Sequence, residues 1–162
     1  MNSNRAHIYG IFAGIATITY SVIFYLIDPK IMLSGWVYYS SFLFYLIGMF
    51  LAVFKAREAE GGLDFRTALS ISFKVFLLAN IFYYVFSYVM FNYIDPGLIE
   101  LQKSMMEAFL EGRGDEQSQA MLEEMKKGDL SYSFSTVFFS FAFSTISGFL
   151  LSLLVAGIGR NK

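Results

Sequence analysis

Two stretches of the chain place an aspartate before its two prolines, each at the end of an aromatic, apolar run: FYLIDPK at 24–30 and FNYIDPG at 91–97. Asp28, Asp95 and the neighbouring Tyr93 are the residues whose types and spacing admit chemistry. Two carboxylates and a phenol gathered at one rim would supply an acid and a base for a lipid-linked substrate at a membrane surface, or a seat for a cation. The rest of the inventory is sparse. The absence of cysteine excludes disulfides, thiolate metal sites and thiol nucleophiles, and a lone histidine, His7, excludes a multi-histidine metal centre built by one chain. No cofactor motif is present.

The same aspartates have a structural reading. Proline disfavours helix in the residue before it, so Asp28 and Asp95 should end the helices that precede them. Each carboxylate then accepts from the free N–H groups of the next helix, with Pro29 or Pro96 at its first position, where the missing N–H costs nothing. After Asp28 there is room only for a turn. Asp64, following EGG, is a third candidate cap, for a helix that starts near Arg66.

The elements so punctuated are membrane spans. With 56% hydrophobic and 19% aromatic residues, the chain carries more apolar side chains than a soluble domain covers. A bilayer core of roughly 30 Å takes about 20 helical residues. Four apolar stretches meet this length, at 8–27, 35–54, 75–94 and 134–158, and the third is extended by a helix from residue 66. The fold class expected is all-α integral membrane: four transmembrane helices (about 8–27, 35–54, 66–94 and 134–158) in one domain over 1–162, with an extracytoplasmic amphipathic helical hairpin inserted at 95–133. The first span reads as a retained anchor, since its apolar part is too long for a signal peptide and no small-residue cleavage site follows.

Both termini are expected in the cytoplasm. That topology puts Arg5, Lys55, Arg57, Arg66, Lys74, Arg160 and Lys162 inside, and Lys30, Lys103, Arg113, Lys126 and Lys127 outside; the inside set sits in short segments at helix ends. Lys74 then lies near the inner interface, where its stem can snorkel. Asn80 and Asn92 are read as interhelical hydrogen-bonding groups.

Residues 95–133 hold nine acidic and four basic side chains. Leu98, Leu101, Met105 and Phe109 recur at spacings of three and four, EGRGDE breaks the helix, Asp115 caps a second one carrying Met121, Leu122 and Met125, and Gly128 ends it. This Met-bearing face either covers the protein's own helix ends and the membrane surface or docks a periplasmic or membrane protein partner. The near-neutral net charge, 12 Lys and Arg against 13 Asp and Glu, and the lack of a long basic run exclude nucleic acid as a partner.

Small residues mark where membrane helices approach closely. The fourth span has them at period four, at Thr136, Ser140, Ser144, Gly148, Ser152 and Ala156, and the first has Gly10 and Gly14. The expected arrangement pairs the first span with the fourth; the alternative for the serine stripe is a polar pathway.

The segment REAEGGLDF at 57–65, the IDP at 94–96 and the acidic segment before a glycine-bearing fourth span resemble a family of small Bacteroidota membrane proteins, domain of unknown function 4199. The resemblance covers nearly the whole chain and implies the bacterial inner membrane; it implies no activity and no functional residue. Three functions are therefore weighed. The leading one is a scaffold presenting the hairpin to a partner or to a second copy of the chain, in a homo-oligomer. The alternatives are a small oligomeric transporter or channel, and an accessory or enzyme of lipid-linked substrate metabolism. Clustered catalytic groups are absent, so a non-enzymatic role is expected.

Overall fold

The computed structural model describes residues 2–127 and 132–161, and the described backbone is helical, with no strand. Gly128 and Lys162 lie outside the described residues, as do the side chains of Arg5 and Lys127. Helix α1 runs Asn2–Ile27, α2 is the single turn Pro29–Met32, α3 is Gly35–Glu60 and α4 is Phe65–Val89. One π-helical turn, Met90–Ile94, extends α4. The hairpin helices are α5, Gly97–Arg113, and α6, Glu116–Lys127, and α7 is Phe134–Gly159.

Helices α1, α3, α4 and α7 are each long and apolar enough to cross a bilayer. Much of their apolar surface is uncovered: Phe12, Ile15 and Ile23 on α1, Leu43 and Ile47 on α3, and Phe139, Phe143 and Leu154 on α7 are all exposed. Such continuous apolar belts belong in lipid, so the protein is a multi-pass membrane protein.

The order of packing corrects the expected pairing. Helices α1 and α7 do not touch; α4 lies between them, against α1, α3 and α7. The glycines of α1 are filled by large side chains of α4. A Cβ at Gly10 would lie 3.0 Å from Leu78 Cβ, and one at Gly14 would lie 2.9 Å from Phe82 Cβ. In α7 a Cβ at Gly148 would overlap the Phe76 ring. Each small stripe is thus a groove for α4, and α1 and α7 are held apart by the helix they share.

The buried core runs through the half of the bundle that holds the chain ends, and includes Met49, Ala52, Val53, Phe76, Val155 and Ala156. The REAEGGLDF segment closes this end. Gly61, at φ 63°, ends α3 in the left-handed conformation that a side chain would resist. Leu63, 1% exposed, plugs the core and exchanges hydrogen bonds with Asn161: Leu63 N–H donates to Asn161 Oδ1 at 2.8 Å, and Asn161 N–H donates to Leu63 O at 3.2 Å. Asp64 Oδ1 accepts from Thr67 N–H at 3.1 Å and starts α4.

Candidate functional site

At the opposite end, where α1 turns into α3 and α4 into α5, the bundle opens. Near the chain ends α3 and α7 are in contact: a Cβ at Gly159 would overlap Val53, and Arg57 Nη1 donates to Gly159 O at 3.4 Å. Toward the hairpin they part, and Tyr38 of α3 and Ser140 of α7 become walls of a cleft of about 570 Å³. Its base is formed by α4 with Tyr83, Tyr84 and Ser87, and Ser21 of α1 reaches it from behind. Helices α5 and α6 roof it, through Ile99, Gln102, Lys103 and Met106 from the first and Met125 from the second.

The fourth-span stripe is therefore divided. Ser144, Gly148, Ser152 and Ala156 are buried, whereas Thr136 and Ser140 are exposed and line the cleft. The buried hydroxyls are used locally: Ser152 Oγ donates to Gly148 O at 2.7 Å, and Ser72 Oγ lies 3.3 Å from Ser152 O across the helix pair. Ser144 Oγ donates to Asn80 Oδ1 at 3.2 Å, linking α7 to α4.

The π turn positions the roof. Asp95 N–H donates to Met90 O, five residues back, at 2.8 Å. The extra residue rotates Met90 and Phe91 into a second core, where Leu98 is buried and Tyr25, Ile99, Leu101 and Tyr132 pack around them. Phe91 and Tyr132 stack with centroids 4.2 Å apart, and Asn92 Nδ2 donates to Tyr88 O and Tyr132 O. Tyr132 lines the cleft, and burial pushes its phenol above the ordinary value, which keeps the hydroxyl neutral.

The two aspartates of the IDP pairs are engaged at the edge of this core. Asp28 Oδ1 accepts from Lys30 N–H at 2.8 Å, with Pro29 opening α2. Asp95 accepts twice, from Gly97 N–H at 3.1 Å and from the Tyr25 hydroxyl at 3.0 Å. Tyr25, which the sequence reading left out, is thus the phenol at Asp95; Tyr93 is 72% exposed and its ring meets Tyr88. Helix α5 starts at Gly97, one residue later than expected, with Pro96 as the preceding cap position. Among the described residues no group of His, Cys, Asp or Glu is arranged to hold a metal.

The hairpin face is also shared differently from its periodicity. Leu98 is buried, Leu101, Met105 and Met125 are half-buried, and the remaining buried positions are Leu110, Ser118 and Leu122. Phe109 and Met121 are 59% and 51% exposed; the second core reaches only the start of α5, through Leu98, Ile99 and Leu101. Asp115 Oδ1 accepts from Ser118 N–H at 2.8 Å and starts α6.

The family described as "Protein of unknown function (DUF4199)" matches residues 8–161. No curated protein and no solved structure matches the chain.

Proposed function

Since the chain belongs to the DUF4199 family of proteins of unknown function, we propose that it is a membrane protein that holds an amphiphilic molecule in the cleft between α3, α4 and α7, beneath the α5–α6 roof. The observation that carries this reading is the lining. Hydroxyls of Tyr38, Tyr83, Tyr132 and Ser87 share one space with Val37, Met90 and Phe91, the mixture that fixes a ligand with one polar and one apolar part. The exposed Thr136 and Ser140 mark the side from which it enters out of the lipid. In this reading the membrane is a bacterial inner membrane, the termini are cytoplasmic and the cleft opens in the outer leaflet; the cations near the chain ends support that direction.

The test is native mass spectrometry of the protein extracted with its membrane lipids. Ser140→Trp fills the cleft from an exposed wall position, and Phe139→Trp places the same indole at a lipid-facing one. A small molecule retained by the parent and by Phe139→Trp, and lost from Ser140→Trp, is the result expected. Equal retention by all three contradicts the reading.

A second reading is the scaffold. It is supported by Phe109 and Met121, exposed on an acidic hairpin outside the cleft lining and able to contact a partner protein or a second copy of the chain. Cross-linking in native membranes, with and without residues 98–127, tests it: a protein captured only by the longer form favours the scaffold, and identical capture disfavours it.

A further inference from the structure

The charges around the cleft are sorted in a way that neither the fold nor the caps require. Helix α5 carries Glu100, Lys103, Glu107, Glu111 and Arg113, and α6 adds Glu116, Glu123, Glu124, Lys126 and Lys127. Among the described side chains of this set, Lys103 alone lines the cleft, and no carboxylate does. It stands on the same face of α5 as Ile99, Gln102 and Met106, half-buried, and makes no ion pair among the described residues. An ammonium held at the lip of an apolar, hydroxyl-lined space is stabilised by an anion entering that space.

The neighbouring carboxylates bear on how general that attraction is. A hairpin dominated by acids repels an anionic membrane surface, so Lys103 is no part of a basic patch that would gather anionic lipid indiscriminately. Glu100 and Glu107 stand one turn to either side of it on α5, and neither lines the cleft. Around it the walls carry the hydroxyls of Tyr38, Tyr83, Tyr132 and Ser87, hydrogen-bonded among themselves and to Tyr84 and able to turn toward a ligand's oxygens, and one amide, that of Gln102. A compact cation with several hydroxyl donors suits a group with many acceptor oxygens.

Resting on the amphiphile reading above, we propose that the cleft selects an anionic amphiphile with a phosphate-class headgroup, which pairs with Lys103 while the wall hydroxyls donate to its oxygens and its chain leaves between α3 and α7. The experiment reconstitutes the full chain in nanodiscs of equal phosphatidylglycerol and digalactosyldiacylglycerol, an uncharged lipid without phosphate, and identifies the retained lipid by native mass spectrometry. The parent is expected to retain the anionic lipid about tenfold over the uncharged one, as a single charge-assisted contact gives. Lys103→Gln is expected to keep a bound lipid with that preference gone, and Lys103→Arg to keep the preference. An unchanged preference in Lys103→Gln overturns the headgroup assignment, and the cleft itself still stands if Ser140→Trp expels the lipid. No retained lipid in the parent, or retention that Ser140→Trp leaves intact, overturns the reading on which the assignment rests. Excess inorganic phosphate is expected to leave the lipid in place; displacement by it contradicts an amphiphile.

Discussion

Gly148 of α7 faces the ring of Phe76 on α4 with no room for a Cβ between them. That contact closes the half of the bundle nearest the chain ends, and its absence one or two turns further along leaves the cleft. Beyond it the small residues of α7 continue through Ser144, Ser140 and Thr136, while α4 presents Tyr83, Tyr84 and Ser87; the Tyr84 hydroxyl donates to Ser140 O at 3.0 Å, and all three side chains line the opening.

The first prediction follows from that contact. Gly148→Ala should destabilise the protein by about 1–3 kcal/mol, the usual consequence of overpacking a filled interface. Gly157→Ala, where a Cβ meets nothing within 4 Å, should be neutral or slightly stabilising. Thermal unfolding in detergent distinguishes the two, and equal effects would mean that α7 is not seated on Phe76.

A second prediction concerns the helix pairs, and the cysteine-free chain makes it clean to test. Gly10→Cys with Leu78→Cys should form a disulfide under mild oxidation, since a Cβ at position 10 would lie 3.0 Å from Leu78 Cβ. Gly14→Cys with Ser144→Cys should not, because α1 and α7 are separated by α4. The reverse outcome would restore the pairing expected from the small-residue stripes.

Asp115 gives a pH dependence with a definite sign. The Ser118 backbone N–H, followed by its side chain, holds the Asp115 carboxyl below its ordinary value. A folded-state value depressed in this way contributes stability above the unfolded value, and that contribution is lost as pH falls through the folded one. The Ser118 amide resonance should therefore shift with a midpoint below the ordinary carboxylate range, and Asp115→Asn should remove the transition. A midpoint at or above that range contradicts the cap.

Orientation is read directly by labelling intact cells with an impermeant maleimide. Gln119→Cys, at an exposed position of α6, should react, and Asn161→Cys should react only after the membrane is opened. The opposite pattern inverts the topology and moves the cleft to the other leaflet.

The four apolar helices were legible in the sequence, because length in lipid is a property of one segment at a time. The hydrogen bonds of Asp28, Asp64, Asp95 and Asp115 are similarly local, each reaching a backbone N–H two or three residues on. Partnership was not legible. Gly10, Gly14 and Gly148 announce close approach, but the groove they form accepts Leu78, Phe82 or Phe76, large residues that carry no mark of their destination. The π turn likewise has no local signature, and its Met90 and Phe91 form the cluster on which Leu98 and Ile99 pack. The cleft joins Ser21, Tyr38, Tyr83, Lys103 and Thr136 from five helices or their approaches, so no window of the sequence contains it.

The most direct measurement on the cleft is photo-cross-linking from inside it. A benzophenone amino acid replaces Tyr38, on the cleft wall, or Leu43, which is 58% exposed on the lipid-facing side of the same helix, and the lipid adducts are identified by mass spectrometry from intact membranes. A bound amphiphile predicts one lipid class at position 38, enriched over the bulk composition, and bulk composition at position 43. The same bulk profile at both positions would contradict it, and the space under the hairpin would then be no more than a gap filled by solvent lipid.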